Sequence, residues 1–297
     1  MRTGTTLRSG RIRAIALLVA ATGGAVVADS TIDPTNRAAY AANLGWLNAH
    51  ADGTNGAVLG RSYCAGHVWS ANAGWIALGH GPTNGWRYGN ASAGDWGVNH
   101  DGEGRLEGRA YGANIGWMVF EQTHGQPRVD LRTGDLTGFA WSANAGWIAL
   151  DTVHGFLRTA RLDPGPDTDG DDIPDAWEYQ RTGSLTNLQG GVSDADLDGV
   201  PDAAEYLTDT DPLNPGERLQ IVSLTTSGGW DTLSWSARPT RLYRVESTNA
   251  LPVITAGPWP DAGYGLLGPE PGTPMELELA TGIAPQFYRV IAVLPLE

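Results

Sequence analysis

Between residues 40 and 151 the apolar positions alternate with small or polar ones in short runs punctuated by Asn, Gly and Asp, the period-two pattern of strands. Ile76 with Leu78, Met118 with Phe120, and Ile148 with Leu150 each share one face, predicted to be core. Trp75, Trp117 and Trp147 then fall on the opposite face, beside Ala77, Val119 and Ala149. Two placements stay open for these rings. A covered face makes them ladders joining successive units, and an open one makes them flat platforms for sugars or aromatic ligands.

The alternation is also repetitive. WSANAGWIAL occurs at 69–78 and again at 141–150, with variants YAANLGWL at 40–47 and YGANIGWM at 111–118. Each unit reads as a hairpin whose turn uses Asn, which bonds its own turn readily, and Gly, which adopts positive φ. The unit tryptophans are Trp46, Trp75, Trp117 and Trp147, and an insertion around residues 81–96 lengthens the middle spacing. Upstream strands are predicted around Val98 and Leu106, and around Val129 and Leu136. The expectation is a repetitive antiparallel sheet closing as a barrel, propeller or solenoid. The first copy is ambiguous, because DPTNRAAYAAN also suits a short helix capped by Asp33 with Pro34 in its first turn.

This pattern, G-x-A-W-S-x-N-x-G-W-I, resembles a repeat of exported bacterial proteins of unassigned activity. The resemblance covers residues 40–151 and implies an exported module without known catalytic residues.

Charge changes the picture in one place. The net charge is −14, and between Asp163 and Asp211 there are 14 acids against one base, Arg181. DTDGDDIPDAWEY from Asp167 and DADLDGVPDAAEY from Asp194 align without gaps, with acids at loop positions 1, 3, 5, 9 and 12. A hard cation takes six to eight oxygens. Alternate carboxylates turned inward, a position-7 carbonyl and a closing glutamate supply such a set. The predicted calcium ligands are Asp167, Asp169, Asp171, Ile173 (through its carbonyl), Asp175 and Glu178. In the second loop they are Asp194, Asp196, Asp198, Val200 (again its carbonyl), Asp202 and Glu205. Asp175 and Asp202 also suit helix N-caps, with Glu178 and Glu205 completing capping boxes, a role that competes with metal binding. Gly199 at position 6, where the first loop has Asp172, predicts tighter binding by the second loop. A disordered acidic linker is the alternative. The segment resembles thrombospondin type-3 calcium-binding repeats, which implies a stiff, calcium-rigidified spacer.

The remaining strand-like runs, RLQIVSL, TLSWSAR, RLYRVES, MELELA and QFYRVIAVL, predict a small C-terminal β-sandwich resembling immunoglobulin- or fibronectin-like end domains. The fold class is therefore mainly β. The predicted organisation is a signal peptide (1–28), a Gly-Trp repeat domain (29–160), acidic calcium-binding repeats (161–216) and a sandwich (217–297). Arg2, Arg8, Arg11 and Arg13 precede an apolar run ending in a small-residue cleavage site at Ala28, which predicts secretion to the cell surface or beyond. No further membrane span is expected. One cysteine, Cys64, excludes an intramolecular disulfide. All 19 basic residues are arginines without a cluster, which disfavours nucleic acid as a partner.

Catalytic patterns are missing: there is no Gly-x-Ser-x-Gly elbow, no HExxH and no phosphate loop. Cys64 and His67 are too few for a metal site. The functional expectation is a non-enzymatic, calcium-binding structural or adhesive surface protein whose partners are polysaccharide or other surface proteins. A carbohydrate-binding protein using the repeat tryptophans is the alternative, and an unrecognised hydrolase with paired carboxylates is a third.

Overall fold

The computed structural model describes residues 29–248, 259–268, 274–280 and 287–297. The signal-peptide reading of residues 1–28 lies outside them. The repeat region runs β1 (Ile32–Ala41), β2 (Gly45–Asn48), β3 (Ala57–Leu59), β4 (Cys64–Ser70), β5 (Gly74–Gly79), β6 (Val98–His100) and β7 (Leu106–Gly112). It continues through β8 (Gly116–Phe120), β9 (Arg128–Val129), β10 (Leu136–Thr137), β11 (Phe139–Ser142), β12 (Gly146–Ala149), β13 (Asp151–Thr152) and β14 (Gly155–Thr159).

Four hairpins, β1–β2, β4–β5, β7–β8 and β11–β12, stand side by side, and β12 pairs back onto β1. The result is a closed, eight-stranded antiparallel barrel, the closure that propensity left open. The N-terminal stretch that also suited a helix is strand β1. Asp33 accepts bonds from the N–H groups of Thr35 and Asn36 at 2.8 and 2.7 Å, but they shape an irregularity between Ile32 and Arg37 instead of capping a helix.

Each hairpin pairs a small inward residue with a large one. Ala39 faces Leu47, Val68 faces Ile76, Ala110 faces Met118, and Ala140 faces Ile148. An eight-stranded barrel has an interior that side chains just fill. Small opposite large is the choice that fits, and the residual void, about 50 Å³, is lined by apolar side chains and Cys64. Cys64 occupies the place that Leu106 and Leu136 hold in the later repeats, five residues before the first aromatic, and all three are buried. Burial pushes its thiol up to about 12, so it is an inert core residue.

The turn sequence accounts for the closed ring. Gly45, Gly74, Gly116 and Gly146 sit at φ between +70° and +77°, ending three-residue hairpin loops. The turn asparagines then tie each repeat to its neighbour. Asn72 Nδ2 donates to Leu44 O at 2.9 Å, Asn114 to Ala73 O at 3.0 Å, Asn144 to Ile115 O at 3.1 Å, and Asn43 to Ala145 O at 3.2 Å. The four bonds form a circle, and the acceptor residues Leu44, Ala73, Ile115 and Ala145 are buried at that end of the barrel.

Short flanking strands complete each unit: β3 pairs β4, β6 pairs β7, and β9 pairs β10. Among the described residues no strand precedes the first unit. The last strand, β14, pairs β1 instead, so the chain's return supplies what the first repeat lacks.

Beyond the barrel lie two short helices, α1 (Asp175–Thr182) and α2 (Asp202–Thr208), then β15 (Ile221–Ser227), β16 (Trp230–Trp235), β17 (Leu242–Thr248), β18 (Met275–Ala280) and β19 (Phe287–Val293). The order β15-β16-β18 makes one sheet and β17-β19 another, and they share a core of Leu233, Trp235, Tyr243, Val245, Met275 and Leu279. The helices do not stand free. Ile173, Trp177, Leu188 and Tyr206 cluster with Leu294, and Arg61 of the barrel donates to the Tyr206 hydroxyl. Among the described residues no helix is long and apolar enough to cross a membrane.

Candidate metal centres and the aromatic surface

Both acidic loops have the same backbone plan. Residues at positions 4 and 6 take positive φ: Gly170 (+75°) and Asp172 (+72°) in the first, Leu197 (+63°) and Gly199 (+92°) in the second. Each loop therefore has one glycine and one residue held in left-handed geometry. The expected advantage of the second loop loses its basis, because its strained residue is Leu197, which lacks the short polar side chain that lets Asp adopt this region.

The position-1 aspartates organise the turns. Asp167 accepts from the N–H groups of Gly170, Asp171 and Asp172, and Asp194 from those of Asp198 and Gly199. Asp171 and Asp198 accept from the N–H groups of Ile173 and Val200. One carboxylate oxygen from each of Asp167, Asp169 and Asp171 lies within 4.8 Å of the others, and Asp194, Asp196 and Asp198 do likewise. The Ile173 side chain is fully buried in the helical cluster, and Val200 is half-buried.

Glu178 and Glu205 have no exposed surface. Neither Glu178 oxygen has a hydrogen-bond partner, and Glu205 Oε2 has none, while Oε1 accepts from Thr210 Oγ1 at 3.3 Å. Burial first, then the charges of Asp169, Asp171, Asp175 and Asp167, push Glu178 up to about 8. Burial and Asp196 push Glu205 up to about 7. Asp196, Asp198 and Asp202 each add a buried Oδ2 without a hydrogen bond, that of Asp198 lying 4.0 Å from the Arg218 guanidinium. A buried carboxylate without donors is costly unless a proton or a cation compensates it. These oxygens, aspartate and glutamate only, have the chemistry of a hard-cation site.

The capping-box expectation is overturned. Pro174 and Pro201 are the N-caps, with no side-chain cap bond, and Asp175 and Asp202 are the first helical residues. Proline's fixed φ sets the entry to each helix. The aspartates reach back instead, accepting from the N–H groups of Thr168 and Ala195 at 2.7 and 2.9 Å, which ties the loop start to the helix start.

The repeat tryptophans lie on the outer wall of the barrel. Trp46, Trp75, Trp117 and Trp147 keep 40–48 % of their surface exposed. Each pairs across its hairpin with the aromatic that opens the unit, Tyr40, Trp69, Tyr111 or Trp141, with centroids 4.9–5.1 Å apart. Those partners were not among the predicted site residues. The signal was present, because a hairpin with a fixed three-residue turn places the first aromatic opposite the Gly-Trp ring. His67, His80 and Trp96 extend the surface, linking Trp75 to Trp117 through contacts of 5.2–5.9 Å.

Several acids of the barrel serve turns. Asp52, Asp101, Glu121 and Asp130 accept from nearby loop N–H groups, and Asp135 pairs with Arg158 at 2.6 Å. Buried His100 is held as a neutral ring, with Nδ1 donating to Gly60 O and Nε2 accepting from Gly104 N–H.

Compared with known proteins, the chain matches no protein-family model, no curated protein and no solved structure.

Proposed function

We propose that this chain is an exported, non-enzymatic, calcium-binding protein with a structural or adhesive role, in which two calcium loops fasten the helical segment between the barrel and the C-terminal sheets. The observation that carries this reading is the pair of buried closing glutamates, each partnerless on at least one oxygen beside its aspartate triplet. The donor set favours calcium. It is all oxygen, without the imidazole or thiolate that selects transition metals. Export fits the same chemistry, since extracellular modules bind calcium at about 10⁻⁴–10⁻³ M where the ion is abundant. Calorimetric titration of the metal-stripped full chain is the test. Two saturable sites are expected, lost stepwise in Asp167→Asn with Asp171→Asn and in Asp194→Asn with Asp198→Asn. No heat up to several-fold above that range, or unchanged binding in both variants, overturns it.

The exposure of the eight paired rings favours a second reading, a polysaccharide-binding surface on the barrel wall. Retention on immobilised polysaccharide, lost in Trp75→Ala with Trp117→Ala while the fold persists, supports it. Retention unaffected by those changes removes it.

A further inference from the structure

A separate feature lies where the barrel, the helices and the C-terminal sheets meet. A cavity of about 130 Å³ is lined there by four arginines, Arg61, Arg87, Arg181 and Arg241, against two aspartates, Asp101 and Asp209. The lining itself carries two more positive than negative groups in a chain of net charge −14, while Glu107 and Glu297 reach Arg87 and Arg61 from outside it.

The internal acceptors do not use up the guanidinium donors. Each guanidinium offers five N–H groups. Arg61 donates to the Tyr206 hydroxyl and lies only 4.0 Å from the exposed Glu297 carboxylate. Arg181 donates to Asp209, and Arg87 has a loose ion pair with Glu107 at 3.5 Å. The Nε atoms of Arg61 and Arg181 are buried without hydrogen-bond partners. Arg241 donates once from each of its three nitrogens, to carbonyls of Leu207, Thr240 and Tyr206, and its buried charge stands beside that of Arg61. Asp209, drawn down by Arg241, Thr240, Trp177 and Arg181, is shared among several of these groups. Asp101 faces Arg105. Neutral His100 adds no charge to the wall.

The insertion points the same way. It lengthens the spacing between the second and third units, and it places half-buried Trp86 and exposed Arg87 on this cavity. Repeat-specific insertions commonly carry a binding face.

We propose that this cavity is a binding site for a small oxyanion group, a carboxylate, sulfate or phosphate, gripped by Arg61, Arg87 and Arg181 with the Trp86 ring alongside. Guanidinium groups match such anions in geometry as well as in charge. Two of the three gripping arginines come from the barrel, and Arg181 sits on α1 of the segment that the proposed calcium loops fasten, so calcium is kept present in the test.

The test is calorimetry and thermal unfolding of the full chain with calcium present, titrating sulfate, phosphate and glucuronate at constant ionic strength set with chloride. Saturable binding and a raised unfolding midpoint are expected. Arg87→Gln, on the exposed rim, should weaken binding about tenfold, the scale of one lost charge-assisted hydrogen bond. Arg61→Gln combined with it should abolish binding, and Arg289→Gln, which faces Glu246 in the C-terminal sheet and is not in the cavity lining, should leave it unchanged. Sulfate or phosphate equal to glucuronate identifies a free inorganic ion. Tighter glucuronate identifies a sugar-borne carboxylate whose ring meets Trp86. No saturable binding up to about 50 mM of any probe, or equal binding by Arg87→Gln and the double variant, overturns the proposal. Calcium heats measured on the same samples keep failure here distinct from failure of the metal sites.

Discussion

Withdrawing the cation and raising the pH should act together on this protein, and the sign follows from the two buried glutamates. Their ordinary value is 4.5, and the fold pushes Glu178 up to about 8 and Glu205 up to about 7. A carboxyl raised on folding binds its proton more tightly folded than unfolded. Stability is therefore fully present below about pH 4.5 and falls as pH rises through the folded values. Each tenfold gain in proton affinity on folding corresponds to about 1.4 kcal/mol. The metal-free protein should therefore lose several kcal/mol between about pH 5 and pH 8, less whatever loop relaxation and water entry screen.

Under the proposed function, calcium should reverse the trend. It needs the ionised carboxylates, so its affinity rises with pH over the same window and binding displaces protons. At pH 7 a group titrating at about 8 is largely protonated and one at about 7 is half so, which gives about 1.4 protons released per chain on filling both loops. With dissociation constants of about 10⁻⁴–10⁻³ M, roughly 10 mM calcium adds about 1.4–2.7 kcal/mol per loop. The assay is thermal unfolding of stripped and calcium-loaded protein from pH 5 to pH 8, with calorimetry in buffers of different ionisation enthalpy to count protons. A midpoint that does not fall with pH in the stripped protein, or calcium heats that do not depend on buffer, refutes the reasoning.

Three further outcomes follow from the barrel. Asn114→Ala removes the bond to Ala73 O at 3.0 Å and should cost about 1 kcal/mol in urea unfolding, more if the buried carbonyl stays unpaired. Gly146→Ala has space, with the nearest atom 3.7 Å from the added carbon, so its cost should be conformational, about 1–2 kcal/mol, and Gly146→Asn should cost less. Trp117→Ala should cost roughly 1–2 kcal/mol, below the 3–5 typical of core aromatics, because the ring is 40 % exposed, and its edge contacts with Tyr111 and Trp96 are lost. Denaturant unfolding distinguishes the two ranges.

The hairpins, their core face and all five C-terminal strands were legible because alternation reports which side of a strand is wet, and each run was bounded by turn residues. Closure was not. Whether four hairpins make a barrel or a solenoid depends on β12 meeting β1 and on β14 returning to β1, pairings more than 100 residues apart that leave no local trace. The side reached by the tryptophans was legible, but not that the side faces solvent, since alternation distinguishes two faces without saying which is covered. The asparagines could be read as turn formers. Their second role, donating to the preceding repeat, exists only once the ring is closed.

The acidic loops show the same division within a few residues. Carboxylates at every second position were readable as converging clusters, because that spacing turns them toward one centre. The spacing did not show that a second position in each loop also takes left-handed backbone. Sequence comparison set Gly199 against Asp172 at position 6 and inferred a weaker first loop, yet both loops need left-handed backbone at positions 4 and 6. The first places its glycine at position 4 and tolerates Asp172, and the second does the reverse and must hold Leu197. Strain alone therefore favours the first loop. The second has the greater number of buried carboxylate oxygens without a hydrogen bond, with Asp196, Asp198, Asp202 and Glu205 each holding one against two on Glu178, and Arg218 offsets only that of Asp198. A bound cation relieves more unsatisfied charge there, so the order of the two affinities rests on electrostatics opposing backbone strain. The substitution Leu197→Gly, with Gly199 retained, removes the strain without touching a carboxylate. It should tighten the second site alone, as read by calcium calorimetry, and an unchanged second site would show that backbone strain is not what limits it.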